Sequence, residues 1–202
     1  MFGDALPAVV RYADWLAHVG VERGLLGPRE VPRLWERHLL NCSVLADLVP
    51  GGASVADVGS GAGLPGIVVA LQRPDLSVTL VEPLLRRATF LTQVVADLGL
   101  RRVDVVRARA EDLVGVVTVD VVVARAVAPL DRLAGWGLPL LCGDGVLLAL
   151  KGERASAEIA AAEQSGVLRR FGVTEPEIVV RTVGGDPTRV VRLVRRHSKE
   201  AG

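Results

Sequence analysis

Two carboxylates and a run of glycines have the spacing needed to bind a nucleoside that carries an ammonium group. Asp57 is followed by Gly59, Gly61 and Gly63, and Glu82 comes 19 residues after the last of them. Glycines leave no Cβ between the backbone and a docked ligand, and they permit turns that other residues resist. A carboxylate just before such a turn repels a pyrophosphate but suits an ammonium group. A second carboxylate can accept hydrogen bonds from both hydroxyls of a ribose.

The residues around the glycines predict the elements that would position them. Val55 to Val58 is short and rich in β-branched residues, as a buried parallel strand should be. From Leu64 the apolar residues recur at helical spacing, and residues 78–82 form a second apolar stretch. A strand, a glycine turn, a helix and a second strand make the first half of a nucleotide-binding βαβ unit.

Carboxylate, glycine turn and second carboxylate resemble the S-adenosylmethionine site of the Rossmann-like methyltransferases. Residues 61–66 also satisfy the dinucleotide pattern G-x-G-x-x-G, although this pattern alone is a weak signal. An NAD-dependent oxidoreductase is therefore an alternative, weakened by Asp57 and by the lack of a recognisable catalytic pair in a second half. A structural βα turn with two incidental acidic residues is another.

Composition favours one domain without a membrane partner or a metal site. The 202 residues are half hydrophobic, and the formal net charge is only +1. No signal peptide is apparent, and two cysteines, Cys42 and Cys142, suggest neither a disulfide framework nor a metal site. We expect a cytoplasmic protein and a monomer. Of the 24 cations 22 are arginine, which suits phosphate and base contacts but equally reflects genome composition.

The order of the remaining elements predicts an α/β fold of the Rossmann-like class I methyltransferase type. Two helices, at 4–19 with Asp4 as its cap and at about 29–49, would form an N-terminal helical cap over residues 1–50. Alternating strands and helices then predict a mostly parallel sheet over residues 53–196. A turn cluster at 184–187 predicts a final hairpin, which gives the sheet an antiparallel last strand.

Ligands of open parallel sheets bind at the carboxyl ends of the strands, where three further groups fall. After strand three, the Ala110 N–H and the Glu111 carboxylate can read the edge of an adenine, or Glu111 simply begins a helix. Arg125 ends strand four and can hold a phosphate, a base or a carboxylate. The alternative for Arg125 is a salt bridge to Asp57 or Glu111. Lys151 closes strand five.

Missing motifs narrow the acceptor of a methyl group. Methyltransferases that act on adenine N6 or on amide nitrogens share an Asn/Asp-Pro-Pro-Tyr turn after strand four, and residues 124–129 lack it. Methylation of pyrimidine carbon 5 needs a cysteine nucleophile, and neither Cys42 nor Cys142 is suitably placed. An acceptor such as guanine N7, which needs no deprotonation, or an oxygen with an unrecognised base remains.

Over about residues 30–195 the chain resembles the bacterial 16S ribosomal RNA guanine-N7 methyltransferases, the glucose-inhibited division protein B family. The motifs that carry the resemblance occur in order, and the Gly-Leu-Pro-Gly extension and the Ala-Leu-Lys-Gly strand end are its most specific parts. The full set of motifs is Trp35-Glu36-Arg37-His38, residues 57–66, residues 86–91, Arg109-Ala110-Glu111, Ala124-Arg125-Ala126 and Ala149-Leu150-Lys151-Gly152.

The resemblance implies transfer of a methyl group from S-adenosylmethionine to guanine N7 in 16S rRNA of the small ribosomal subunit. It places Gly59, Leu64, Ala110, Glu111 and Arg125 in the cofactor pocket, beside Asp57, Gly61, Gly63 and Glu82. Arg125 is also the candidate catalytic residue, and Arg37, His38, Arg125 and Lys151 are candidates for holding RNA. His38 could instead be a cap or core histidine. Residues 16–28 depart from the family pattern. A further alternative to the enzyme is a non-catalytic RNA-binding or ribosome-associated protein with the same fold.

Overall fold

Seven strands form one mixed sheet in the structure, a computed structural model that describes residues 2–196. The sheet order is β3-β2-β1-β4-β5-β7-β6, and β7 runs antiparallel to both of its neighbours. This is the predicted fold class, including the antiparallel last strand. The strands are β1 Ser54–Val58, β2 Ser77–Val81, β3 Val103–Val106, β4 Val119–Arg125, β5 Leu141–Lys151, β6 Glu177–Val183 and β7 Asp186–Val194.

Helices connect the parallel strands and build the N-terminal cap. The α-helices are α1 Leu6–Trp15, α2 Asn41–Ser43, α3 Gly66–Gln72, α4 Leu85–Asp97, α5 Leu130–Gly137, α6 Ala155–Gln164 and α7 Val167–Arg170. Short 3₁₀ segments lie at Gly3–Ala5, Pro28–Arg33, Ala46–Leu48, Ala110–Leu113 and Leu138–Leu140, and π-helical turns lie at Leu16–Gly20 and Leu34–Leu40. Within the described residues, no helix combines the length and the apolar character that a membrane span requires.

The predicted continuous helix over 29–49 is wrong. The segment is instead a 3₁₀ turn that contains Pro32, a π-helical turn, the single turn of α2 and a second 3₁₀ turn. Proline has no N–H to donate and its ring crowds the carbonyl four residues earlier, so a regular α-helix cannot run through Pro32. The first predicted helix is present, but the Asp4 side chain makes no capping hydrogen bond in the described chain.

The sheet separates two apolar layers. On one face the N-terminal cap packs with α3 and α4, and Tyr12, Leu39 and Leu45 of the cap are fully buried. On the other face α5, α6 and α7 supply Leu130, Ala162 and Leu168. Alternate residues of β1 enter different layers, Val55 the first and Ala56 the second. The cap is therefore part of the main core rather than an appendage.

Arg73, directly after α3, fastens the end of the cap to the sheet. Its Nη1 donates to the carbonyls of Ala46 at 2.8 Å and Val49 at 2.9 Å, and its Nη2 donates to the Pro50 carbonyl at 3.3 Å. Asp75 accepts from Nε at 2.8 Å and from Nη2 at 2.7 Å, which fixes the plane of the guanidinium. One side chain thus satisfies three carbonyls where the cap leads into β1.

We expect Arg73→Lys to lower the free energy of unfolding by about 1–3 kcal/mol, because an ammonium cannot replace a planar fork that serves four acceptor residues. Chemical denaturation followed by circular dichroism measures the change. Arg86→Lys, at an exposed position on α4, is the matched control and should leave stability unaltered. Equal stability of the two variants would show that the Arg73 contacts contribute nothing.

Candidate functional site

A cavity of about 720 Å³ opens at the carboxyl ends of β1, β2, β3 and β4. This is the position expected for a ligand of an open parallel sheet, and the volume is that of a small-molecule site. Leu25, Leu26 and His38 of the cap close one side, and Trp136 of α5 closes another. The strand ends contribute Val58 to Ala62, Leu64, Val81 to Leu84, Arg87, Ala108 to Glu111 and Arg125 to Val127.

Gly61 is the glycine whose missing side chain leaves room for a ligand. Its φ is +58°, and a Cβ added there would meet only the Gly59 carbonyl within 4 Å, at 3.8 Å. Gly61 also lines the cavity. An L-residue would be strained at this φ, and its side chain would occupy open space beside the cavity wall. The turn is therefore shaped for close approach of a ligand at this residue.

The other glycines of the turn are required by packing within the protein. A Cβ at Gly59 would collide with the Val127 side chain, which lies over this part of the turn. At Gly63 it would meet Ile67 and the Tyr12 hydroxyl, and at Gly66 it would lie 2.5 Å from Leu80 Cδ2 and 2.6 Å from Asp57 Oδ2. Gly63 lies outside the lining of the cavity, so a direct ligand contact there stays a prediction without structural support.

Tyr12 holds the turn from the cap side. Its side chain is fully buried, and its hydroxyl donates to the Ala62 carbonyl at 2.8 Å. Burial raises the pKa of this phenol well above its usual range, so the hydroxyl keeps its proton. The cap helix α1 therefore supplies one of the hydrogen bonds that fix the glycine turn.

Asp57 lies behind the turn rather than in the cavity wall. It is fully buried, and its Oδ2 accepts the Gly66 N–H at 3.0 Å, at the start of α3. The second oxygen, Oδ1, has no hydrogen-bond partner among residues 2–196. Burial raises the pKa of this carboxyl to about 7, against the smaller lowering effect of the Gly66 N–H. The predicted contact between Asp57 and a ligand is therefore not supported by this arrangement, which ties β1 to α3.

Glu82 lies at the cavity and supports the turn as well. It is 1% exposed, and its Oε2 accepts the Gly61 N–H at 2.9 Å while Oε1 accepts the Leu84 N–H at 3.0 Å. Each carboxylate oxygen still has lone pairs for ribose hydroxyls. Glutamine would be a poor substitute, because its NH₂ would face one of two backbone donors. Arg87 Nη1 lies 3.7 Å from Oε2, at the rim of the cavity.

Arg125 lines the cavity and reaches across to the cap. Its Nη2 donates to the Arg37 carbonyl at 2.9 Å and to His38 Nδ1 at 2.7 Å. Its Nη1 lies 3.4 Å from both the His38 carbonyl and Cys42 Sγ. The alternative of a salt bridge to Asp57 or Glu111 is wrong, since no ion pair joins Arg125 to either residue in the described chain. Arg125 thus binds the cap to the end of β4.

His38 stands between Arg125 and Glu30. Its side chain is 13% exposed and lines the cavity, and Nε2 lies 2.9 Å from Glu30 Oε2. Arg37 points away, with half of its side chain exposed and an ion pair to the same Glu30 oxygen at 3.5 Å. His38 thus caps no helix among residues 2–196, and both of its ring nitrogens contact charged side chains of the protein, while Arg37 is outside the cavity lining.

Lys151 is occupied by contacts within the protein. Its side chain is 7% exposed, and Nζ donates to the Ala128 carbonyl and to Glu158 Oε2, both at 2.7 Å. Glu158 also accepts the Leu130 N–H at the start of α5. This pair fixes the loop after β4, in which Ala126 has a positive φ of 51°. The predicted RNA contact of Lys151 is not supported in this position, where the ammonium anchors a loop.

The structure brings together eight of the predicted site residues at the cavity: His38, Gly59, Gly61, Leu64, Glu82, Ala110, Glu111 and Arg125. Sequence reasoning missed the contributions of Tyr12, Leu25, Leu26, Val127 and Trp136. Most of these residues come from the cap or from α5, far from the glycine turn in sequence, and no local motif marks them. Glu30 was missed too, because residues eight positions apart in the predicted helix would lie about 12 Å apart along its axis, whereas the irregular segment brings Glu30 and His38 into contact. Among residues 2–196, no cluster of acidic, histidine and cysteine side chains has a metal-binding arrangement.

Comparison with known proteins identifies the family. The family model described as rRNA small subunit methyltransferase G matches residues 5–180. The protein named ribosomal RNA small subunit methyltransferase G from Thermobifida fusca is 56% identical over 205 aligned positions, covering 100% of this chain and 85% of that protein. The protein of the same name from Streptomyces coelicolor is also 56% identical, with 100% and 89% coverage.

Solved structures of other methyltransferases share the fold. A putative S-adenosylmethionine-dependent methyltransferase from Methanococcus maripaludis aligns with a TM-score of 0.60 at 15% identity, over 85% of this chain and 93% of that one. An S-adenosylmethionine-dependent O-methyltransferase from Thermotoga maritima aligns with a TM-score of 0.61 at 14% identity, over 85% and 71%. At these identities the likeness concerns the architecture alone.

The raised pKa of Asp57 makes a pH dependence of stability testable. The folded chain holds this proton more tightly than the unfolded chain, in which the carboxyl has a pKa of about 4. Stability from this residue is therefore greatest at low pH and is lost as pH rises toward the folded pKa of about 7. Asp57→Asn removes the titration, so the unfolding free energy of the variant minus that of the parent should increase from about pH 5 to about pH 8. Denaturant titrations across this range measure the difference. A pH-independent difference would contradict the assignment.

Proposed function

The chain belongs to the rRNA small subunit methyltransferase G family, and from this premise we propose that it methylates N7 of a guanine in 16S rRNA of the small ribosomal subunit, with S-adenosylmethionine as the methyl donor. The observation that carries the proposal is the open space at Gly61 directly beside Glu82, in a cavity at the strand ends. A backbone turn without a side chain and a neighbouring carboxylate suit the methionine and ribose parts of that donor.

The residues present fit this group. Gly61 and Leu64 would lie along the methionine portion, Glu82 would accept the ribose hydroxyls, and Ala110 and Glu111 would meet the adenine, since all five line the same cavity. When bound, S-adenosylmethionine supplies a methyl group on a positively charged sulfur. The protein contributes a partly apolar wall and a set of fixed hydrogen-bonding groups.

Guanine N7 needs no general base, because it carries an in-plane lone pair at neutral pH. Transfer would form the bond from N7 to the methyl carbon as the bond from that carbon to the donor's sulfur breaks, so the chain's own residues would have no proton to move. The remaining task is alignment of the three reacting atoms, which can contribute roughly 7–11 kcal/mol. Arg125 is the side chain proposed to act beside the acceptor, since it lines the cavity at the end of β4.

Several arginines can meet RNA: Arg87 and Arg109 line the cavity, whereas Arg37 and Arg86 are outside its lining. Arg87 lines the cavity and its side chain is 41% exposed, while Arg37, Arg86 and Arg109 are exposed. With a net charge of only +1, such a patch would neutralise few phosphates, so binding should depend on the folded shape of the RNA. The proposal includes action as a monomer in the cytoplasm. Lys151 is left out of the RNA surface because of its internal contacts.

Two other functions compete with this proposal. An NAD-dependent oxidoreductase would use the same glycine turn, and membership of a methyltransferase family argues against it. A non-catalytic RNA-binding protein would keep the fold but transfer no methyl group. Binding of NAD distinguishes the first alternative, and a transfer assay distinguishes the second.

We expect Gly61→Ala to weaken binding of S-adenosylhomocysteine at least about tenfold, because the added methyl group faces the ligand's space and strains the turn. Isothermal calorimetry measures the affinity. Gly99→Ala is the matched control: Gly99 has a φ of +63° and open space around it, but lies after α4 and away from the cavity. Equal affinities of the two variants for S-adenosylhomocysteine would show that the cofactor does not contact Gly61. Binding of NAD with no binding of S-adenosylhomocysteine would favour the oxidoreductase.

The protein should transfer labelled methyl groups from S-adenosylmethionine to 16S rRNA, or to small-subunit particles, prepared from cells that lack the gene. The product should be N7-methylguanosine. Arg125→Ala should reduce transfer by more than it reduces cofactor affinity, because Arg125 is placed on the acceptor side. Mass spectrometry of digested rRNA identifies the nucleoside, and circular dichroism checks that the variant is folded. Label on DNA, lipid or amino acids with none on rRNA would overturn the substrate. Intact RNA binding with no transfer would support the non-catalytic alternative.

A further inference from the structure

We propose that His38 is a positioning residue for Arg125: with its ring hydrogen on Nε2 and donated to Glu30, its Nδ1 accepts from the guanidinium and holds it at the cavity wall. The proposal rests on the proposed methyl transfer, in which Arg125 acts beside the acceptor. It assigns His38 a role through Arg125 in place of the RNA contact expected from the sequence, and it gives Glu30 a role as well.

The two contacts of the imidazole define its hydrogen positions. Arg125 Nη2 lies 2.7 Å from His38 Nδ1, and a guanidinium has donors only. Nδ1 must therefore be the acceptor, which leaves the hydrogen of a neutral ring on Nε2. Glu30 Oε2, at 2.9 Å from Nε2, is an acceptor placed to receive this hydrogen. The chain from Glu30 to His38 to Arg125 is thus consistent for one tautomer of a neutral histidine.

Burial, more than the charged groups around the ring, favours the neutral form of His38. Burial and the nearby Arg125 lower the pKa of His38, with a smaller contribution from Arg37, while Glu30 alone raises it. Beyond Arg125, the Cys42 thiol keeps its proton, because burial raises its pKa to about 11. Protonation of Nδ1 would place a donor against the donors of Arg125 and break this contact. The contact between Arg125 and the His38 ring therefore depends on an uncharged His38.

This arrangement leaves part of Arg125 available. Its two Nη atoms have four contacts, with the carbonyls of Arg37 and His38, with His38 Nδ1 and with Cys42 Sγ. Its Nε–H has no partner within residues 2–196, although the side chain lines the cavity. The cap thus restrains the outer end of the guanidinium and fixes where this side chain meets the cavity. Flexible side chains lose rotamer freedom on such restraint, and here the cap provides it before any ligand binds.

Two variants of His38 separate its two contacts. The amide of asparagine reaches the place of Nδ1, so His38→Asn keeps an acceptor for Arg125 and gives up the contact with Glu30. The longer amide of glutamine reaches the place of Nε2, so His38→Gln keeps a partner for Glu30 and removes the acceptor. Steady-state kinetics with small-subunit particles, and thermal unfolding of each variant, compare the two.

We expect His38→Gln to lower kcat about tenfold or more with little change in the KM for S-adenosylmethionine, since misplacement of a positioned group affects the transition state. His38→Asn should recover much of this loss. Equal losses in both variants, or a greater loss in His38→Asn, would overturn the proposal and show that His38 only fastens the cap. A drop in thermal stability of the two variants without a difference in kcat would overturn it as well.

Nitrogen-15 spectra of the histidine rings test the hydrogen position without any activity. The chain has three histidines, and the signal missing from His38→Asn identifies His38. We expect a hydrogen on Nε2 near neutral pH and, in Arg125→Ala, a titration midpoint at higher pH than in the parent. A hydrogen on Nδ1 would overturn the inference. If the parent transfers no methyl group, the proposed function fails, and the ring spectra alone then decide the contact between His38 and Arg125.

Discussion

The architecture of the site depends on buried polar groups that fix a glycine turn from three directions. Asp57 in β1 accepts the Gly66 N–H, Glu82 at the end of β2 accepts the Gly61 N–H, and Tyr12 in the cap donates to the Ala62 carbonyl. A turn of glycines is conformationally free in the unfolded chain, so its order must come from such contacts. Because all three partners are at most 1% exposed, their hydrogen bonds are made in a low-dielectric interior.

The N-terminal cap is consequently part of the site. Tyr12 supports the turn, Leu25 and Leu26 form a wall, and Arg125 reaches back to the carbonyls of Arg37 and His38. The last contact also satisfies two carbonyls in an irregular segment that lacks a regular α-helical hydrogen-bond pattern. Arg125 therefore lines the cavity and binds the cap to the sheet at the same time, while Tyr12 links the cap to the glycine turn. A change in one of them affects folding and function together.

The sequence could predict the features that depend on local pattern. The order of strands and helices, the glycine turn at Gly61 and the carboxylate at Glu82 all follow from periodicity or short-range spacing, and each is present. Asp57 and Lys151 show where this reasoning stops. Both lie next to strand ends, yet each side chain is directed to an internal partner, the Gly66 N–H for one and the Ala128 carbonyl for the other. The direction in which each side chain points depends on tertiary packing, which cannot be predicted from the spacing of residues in the sequence.

The distribution of these internal contacts bears on how methyl transfer would proceed. A free carboxylate close to the sulfonium of S-adenosylmethionine would stabilise the bound donor more than the transition state, in which the positive charge is leaving sulfur, and would raise the barrier. Here Glu82 already accepts two backbone N–H groups, and Asp57 lies behind the turn with a pKa raised to about 7 by burial. Both negative charges are thus moderated by the protein itself. In the proposed reaction Glu82 would hold both the turn and the ribose, and Asp57 would hold the turn alone.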